Sequence, residues 1–135
     1  MVESKVSGVV VRPSPSFVDA RGSITNIAIG EFQTCSLIRS LAGTYRSKHF
    51  HSTDAHVLYV LEGEMWYVER ELDGDYPAEW TKVQQGEAVF TGPLVVHQTW
   101  FKVNTTLISM SKKPRDHQSH EADVVRIEEE WKPAP

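Results

Sequence analysis

Gly43-Thr44-Tyr45-Arg46-Ser47-Lys48-His49-Phe50-His51-Ser52-Thr53-Asp54-Ala55-His56-Val57-Leu58-Tyr59-Val60-Leu61-Glu62-Gly63 holds three of the chain's six histidines within eight residues. Its spacing is Gly-x5-His-x-His-x4-His-x6-Gly. A second stretch, Gly86-x5-Gly92-Pro93-x3-His97, places a fourth histidine behind a Gly-Pro corner. A strand turns alternate side chains to one face, so His49 and His51 project together, and a tight turn brings His56 to them from the following strand. The glycines permit the sharp corners this needs. A lone histidine is usually a surface residue or a satisfied core side chain, whereas this recurrence points to one shared pocket. His49, His51, His56 and His97 are therefore candidate ligands for one divalent transition metal (Zn, Fe, Ni, Mn or Cu), since neutral imidazole binds these ions. No organic cofactor is expected.

Outward from this stretch the chain is a succession of short β-branched and aromatic runs separated by Gly, Pro, Asp and Asn. Expected strands are Val6 to Val11, Ser23 to Ile29, Gln33 to Ser40, His56 to Glu62, Glu64 to Glu71, Trp80 to Gln84, Ala88 to Phe90, Gln98 to Val103, Thr105 to Ser111 and Asp123 to Ile127. This predicts an all-β sandwich or barrel, with sheet closure removing exposed edges. The 135 residues suit one domain: a barrel core over about 23–111, an N-terminal strand segment over 1–22 and a C-terminal extension over 112–135. Gly63 alone separates two strong strands and reads as a tight hairpin. Leu72-Asp73-Gly74-Asp75-Tyr76-Pro77 reads as a turn. The polar stretch Ser111 to His120 is expected to run over the surface, with His117 and His120 solvated. The tail after Ile127 is expected to form at most one helical turn, and Cys35, in a strand-like setting, to be a small buried residue.

A net charge of −4 argues against a nucleic-acid surface. No stretch approaches a membrane span, and no apolar leader follows a basic start, so a cytoplasmic location is the default expectation. Arg21, Arg46 and Lys48 are the local basic candidates for holding an anionic substrate. Among the aromatics near the motifs, Tyr59, Tyr67 and Phe101 are candidates for stacking on a sugar or base, although aromatics at strand period more often fill a core. Parity refines this: if His56 points inward, Leu58 and Val60 share its face and Tyr59 points away. If His97 does, Thr99 and Phe101 line the pocket while Trp100 faces outward. Glu62, Glu69 and Arg70 read as solvated charges.

The two glycine-histidine stretches resemble the motifs of the cupin superfamily, G-x5-H-x-H-x3-4-E-x6-G and G-x5-P-x-G-x2-H-x3-N. The resemblance implies a double-stranded β-helix, a jelly-roll barrel. The departures are specific: His56 stands at the glutamate position, the proline shifts by one to Pro93, Leu94 replaces the later glycine and Phe101 the asparagine. A narrower resemblance runs from about Phe17 to Ile127. Phe17-x-Asp19-x-Arg21-Gly22-x-Ile24, Gly92-Pro93-x3-His97 and Asp123-Val124-Val125-Arg126 are similar to stretches of the dehydrorhamnose epimerases and related nucleotide-sugar ketoisomerases. Arg46-Ser47-Lys48-His49 aligns with that family's R-G-x-H segment, with Ser47 in place of glycine. The resemblance implies His49 as proton-transfer base, His51 as its partner, Arg46 near a diphosphate, and a homodimer. It also implies metal-free chemistry, which competes with the metal reading.

Abstraction of a proton beside a keto group needs a base that works near neutral pH, and histidine starts there. The leading reading is thus an isomerase or epimerase acting on a carbohydrate-derived, nucleotide-sugar-like small molecule. The alternatives are a metal-dependent dioxygenase-type cupin and a non-enzymatic metal- or sugar-binding module. The long N-terminal segment offers an edge that a second copy covers or exchanges, which would place Arg21 in a neighbour's pocket.

Overall fold

The computed structural model describes residues 2–3, 7–75 and 79–135. Of the sequence expectations, the strand start at Val6 and the turn residues Tyr76 and Pro77 lie outside the described residues. The strands are β1 (Val2–Glu3), β2 (Val10–Val11), β3 (Phe17–Asp19), β4 (Gly22–Ile24), β5 (Ala28–Ile29), β6 (Thr34–Ser40), β7 (Thr44–His51), β8 (His56–Glu62), β9 (Glu64–Glu71), β10 (Thr81–Gln84), β11 (Ala88–Thr91), β12 (Val95–Phe101), β13 (Thr105–Ser111) and β14 (Val124–Arg126). One helix, α1 (His117–Asp123), precedes the last strand. Two antiparallel five-stranded sheets form the body, in the orders β10-β9-β12-β7-β14 and β2-β11-β8-β13-β6. From β6 onward the chain changes sheet at nearly every turn, with β9 to β10 as the exception. That alternation is the double-stranded β-helix.

The period-two pattern explains what each strand buries. Leu58, Val60, Met65, Tyr67, Val83, Val89, Phe101 and Leu107 form the inner apolar core. A second cluster of Ala55, Val57, Ala88 and Phe90, joined by Tyr59 and Met110, packs on the opposite side of β8 and β11, under Val11, Ala28 and Phe32. Fully burying one such Val or Leu side chain stabilises the fold by about 1.5–3 kcal/mol.

Several expectations need correction. Gly63 is a sheet-to-sheet corner and not a hairpin, because β8 and β9 belong to different sheets. A Cβ there would lie 2.6 Å from Thr105 Oγ1 and 2.7 Å from the Asn104 carbonyl oxygen. The strand β7 was absent from the expected set, since Tyr45-Arg46-Ser47-Lys48 has neither alternation nor an apolar run. The expected Ser23-to-Ile29 strand is instead two short pieces, and β4 folds back on β3 as an exposed hairpin. Cys35 is exposed because β6 is an edge strand and turns it outward. The tail has no helix, within the expectation of at most one turn, and runs along the β9 side: Arg70 pairs with Glu129, Trp80 Nε1 donates to the Lys132 carbonyl at 2.9 Å, and Ala134 N donates to Tyr45 Oη at 3.4 Å. Arg70 is thus a half-buried ion-pair member and not a solvated charge.

Both non-glycine residues at motif glycine positions hold left-handed backbone: Ser47 has φ 76° and Leu94 φ 60°. Ser47 and its neighbour Lys48 (φ 69°) form a bulge, where the β7–β12 register shifts between His97 and Gln98. Positive φ costs an L residue about 1–2 kcal/mol, and glycine relieves it at some entropic cost. Leu94→Gly and Ser47→Gly should each raise the unfolding free energy by about 0.5–1 kcal/mol, read from urea midpoints. Lower midpoints in both would show that the bulge and corner are not strained.

Candidate active site

Three strand ends meet at one end of the barrel. β7 supplies His49 and His51, β8 opens with His56, and β12 brings His97 opposite His49 in register. Ring centroids are 4.8 Å apart for His49–His51 and His49–His97, 5.4 Å for His51–His56, 5.5 Å for His51–His97 and 5.3 Å for His56–His97. His97 Nδ1 lies 3.0 Å from the Val95 carbonyl oxygen, which can only accept, so the ring carries its proton on Nδ1 and offers Nε2 as a lone pair. His49, His51 and His97 each place a donor nitrogen within 4.8 Å of the others. His56 stands outside that triad, beside it.

These rings wall a cavity of about 190 Å³ whose apolar side is Ile38, Leu58 and Leu107 and whose other polar members are Arg46, Ser47, Thr99, Arg115 and His120. Among the described residues, no carboxylate lines it. The stretch expected to run over the surface is exposed along most of its length, but it crosses the mouth and brings Arg115 and His120 to the cavity wall. Its helix starts on Asp116, whose side chain accepts from Ser119 N at 3.1 Å. Both ends of the stretch are tied to the turn between β7 and β8. Asp54 accepts from Lys113 N at 2.9 Å, while Asp123 accepts from Thr53 N and Asp54 N at 2.9 Å and from Thr53 Oγ1 at 2.7 Å. His120 thereby lies 5.4 Å from His51 and 6.4 Å from His49, ring to ring, and is half-buried, whereas His117 is exposed as expected. Asp54, Arg115, His120 and Asp123 are site residues that the sequence reading missed. The Asp116-to-Ser119 cap was the one local signal for the helix.

Burial lowers the imidazole pKa values: His49 to about 2, His51 to about 3 and His97 to about 4, with His56 also well below its usual value. Loss of water is the main cause. Mutual repulsion among the rings adds to it at His49, His51 and His56, and the Val95 carbonyl opposes it at His97. Asp123 opposes it at His51, with its carboxylate 3.8 Å from Nδ1. The cluster is neutral at physiological pH. Both nitrogens of His51, Nδ1 of His56 and Oγ of Ser111 are buried without a hydrogen-bond partner.

The remaining candidates divide. Arg46 reaches the rim, where Nε donates to Ser40 Oγ at 2.7 Å and one terminal NH2 to the Arg39 carbonyl at 3.0 Å. Lys48 does not face the cavity, because the bulge turns it outward to the Glu129 carbonyl oxygen. Tyr59 points away into the second cluster, as parity required. Tyr67 and Phe101 are core residues beneath the site. The Tyr67 ring stacks at 6.5 Å on His97, and its hydroxyl is held by Glu69 at 2.7 Å and Thr91 at 2.8 Å. Glu69 also accepts from Ser7 Oγ at 2.6 Å, so it is a network member and not a solvated charge. Arg21 pairs with Asp19 at 2.6 Å on the exposed hairpin, outside this chain's cavity.

Folded imidazoles with lowered pKa values stay neutral where unfolded ones take up protons, so their contribution is complete above about pH 6.5 and is lost as pH falls toward 4 and below. Chelator-treated protein should lose about 1 kcal/mol per pH unit for each of His51, His56 and His97 below about pH 6. His97→Gln should make the fall shallower, measured as urea midpoints from pH 7.5 to 5. Identical slopes would show that His97 is protonated in the folded state.

No family model matches the chain, and no curated protein matches it. Solved structures do. QdtA, a sugar 3,4-ketoisomerase from Thermoanaerobacterium thermosaccharolyticum solved with TDP, is 17% identical, with 89% of this chain and 88% of that chain covered and a TM-score of 0.67. The WlaRB TDP-quinovose 3,4-ketoisomerase from Campylobacter jejuni is 14% identical over 88% and 92% of the two chains, at a TM-score of 0.70. The dTDP-4-dehydrorhamnose 3,5-epimerase from Sulfolobus tokodaii is 13% identical over 82% and 72%, at 0.64. Sheet order and these superpositions together give the chain the cupin fold, in the form taken by sugar ketoisomerases and epimerases.

Proposed function

We propose that this protein is an isomerase or epimerase that moves a proton at a carbon beside the keto group of a nucleotide-linked sugar. The observation that carries the reading is a cavity in which neutral imidazoles converge beside two arginines, with no carboxylate on its wall among the described residues. The likeness in fold to ketoisomerases and epimerases supports it, and one of those structures was solved with TDP-4-keto-6-deoxyglucose. In the reaction, neutral His49 takes the C–H proton through its free nitrogen. The C–H electron pair forms the new carbon–carbon double bond, and the carbonyl pair moves onto oxygen, giving an enediolate. Return of the proton from the imidazolium to the same carbon regenerates the substrate, whereas inversion needs a proton delivered to the opposite face, with the imidazolium proton released to solvent. Return to the neighbouring carbon, with transfer of the hydroxyl proton between the two oxygens, shifts the ketone. His51 packs on His49 with the Asp123 carboxylate 3.8 Å from its Nδ1, while Arg46 at the rim is placed for the diphosphate.

The unpartnered nitrogens of His51 and His56 favour a second form of this reading, in which His49, His51 and His97 hold a divalent ion. Their donor chemistry fits zinc, iron, nickel, manganese or copper. Nitrogens about 2 Å from a tetrahedral ion lie about 3.3 Å apart, so the rings would turn inward to bind it. A bound ion would polarise the keto oxygen as a Lewis acid. His49 cannot both ligate and accept a proton at one nitrogen, so the two forms exclude each other. The exposed hairpin bearing Phe17, Val18 and Ile24 favours a homodimer in which it is covered and Arg21 meets a second copy.

Wild-type protein incubated with TDP-4-keto-6-deoxyglucose in deuterated water should incorporate deuterium beside the ketone, and His49→Asn should slow this by about 100- to 10,000-fold. Unchanged exchange in His49→Asn would remove that base. Near-stoichiometric metal by elemental analysis, lost several-fold in His97→Ala, would favour the ion-bound form, and full exchange in chelated protein would overturn it. Light scattering should return twice the chain mass, and a monomer at micromolar concentration would refute the dimer.

A further inference from the structure

We infer that Arg115 is a catalytic residue that carries the negative charge of the enediolate, and that α1 and its flanks serve to hold it over the imidazole cluster. This rests on the isomerase reading. Charge balance is the first ground. When a neutral base removes the proton, the oxygen that becomes negative needs a cationic partner. The permanent cations on the wall are Arg46 and Arg115.

Their surroundings separate them. Arg46 sits exposed at the rim and is already engaged by Ser40 and the Arg39 carbonyl. Arg115 is half-buried and is held only by neutral groups: one terminal NH2 donates to Ser109 Oγ at 3.2 Å, and the other donates to His120 Nε2 at 3.3 Å. Among the described residues it has no carboxylate within ion-pair distance. A half-buried guanidinium whose charge is offset only by Asp54, beyond ion-pair distance, is unfavourable, and a contacting anionic ligand relieves that cost. Its planar fork also matches two vicinal oxygens of an enediolate, which a point-charge ammonium does not.

The second ground is rigidity. Asp54 fixes Lys113, two residues before Arg115, and Asp123 fixes the far end of α1, both against the turn that links His51 to His56. The guanidinium and the imidazoles are therefore referenced to the same turn. A donor held in place before the reaction stabilises developing charge without reorganising during it.

Oxalate, a planar dianion with vicinal oxygens, is the probe. By calorimetry the wild type should bind it, Arg115→Met should bind at least about tenfold more weakly, and Arg46→Met should stay within about twofold. With TDP-4-keto-6-deoxyglucose, Arg115→Met should lower kcat about 100-fold or more with KM changed little, whereas Arg46→Met should raise KM. Arg115→Lys controls for folding and should recover only part of kcat. A folded Arg115→Met that keeps both oxalate affinity and exchange overturns the assignment while leaving the isomerase reading intact. A wild type that binds oxalate through Arg115 yet exchanges nothing on the keto sugar upholds the anion site and rejects the substrate.

Discussion

Removal of four imidazoles from water is the constraint on which the site depends. The jelly roll delivers them by changing sheet at its corners, so that β7, β8 and β12 end side by side although His49 and His97 are far apart in sequence. Once there, each ring is deprived of solvent and faces other rings that would repel its charge. Neutrality follows without any dedicated partner. The same environment weakens the rings as bases, so proton transfer to them depends on the substrate's developing charge being neutralised nearby, while their neutral nitrogens remain free to ligate a cation.

The barrel divides its interior between stability and chemistry. Leu58, Val60, Met65, Val83, Val89, Phe101 and Leu107 fill one part with apolar side chains. The polar end is left with buried nitrogens and a hydroxyl that have no partner. Such groups destabilise a fold, and they are tolerated where binding completes them. The seam between the two halves is Tyr67, whose ring lies against His97 and whose hydroxyl is satisfied by Glu69 and Thr91. Tyr67 thus sits one layer behind the reacting groups.

The turn between β7 and β8 links this interior to the C-terminal stretch. Asp54 and Asp123 bind backbone donors across it, so the strand that carries His51, the strand that begins with His56 and the segment that carries Arg115 and His120 share one anchor. Legibility of the site in sequence follows this division. The four histidines were readable because turn glycines and strand parity are local properties with period two. Arg115 and His120 were not, since Lys112 to His120 is polar throughout and looks like any solvated connection. Lys48 was misjudged because a bulge at Ser47–Lys48 adds a residue to β7, and a single added residue reverses which face each side chain takes.

By itself the sequence determined the fold class, the corners at Gly43 and Gly86 and the pairing of His49 with His51, because each of these is set by neighbouring residues and backbone sterics. Only the tertiary structure decided that His97 faces His49, that the post-barrel segment brings Arg115 and His120 to the cavity, that Gly63 joins two sheets and that Arg21 lies outside the cavity. Those outcomes depend on which sheet edges meet and on where buried carboxylates find backbone donors some seventy residues away. No local pattern encodes such distances.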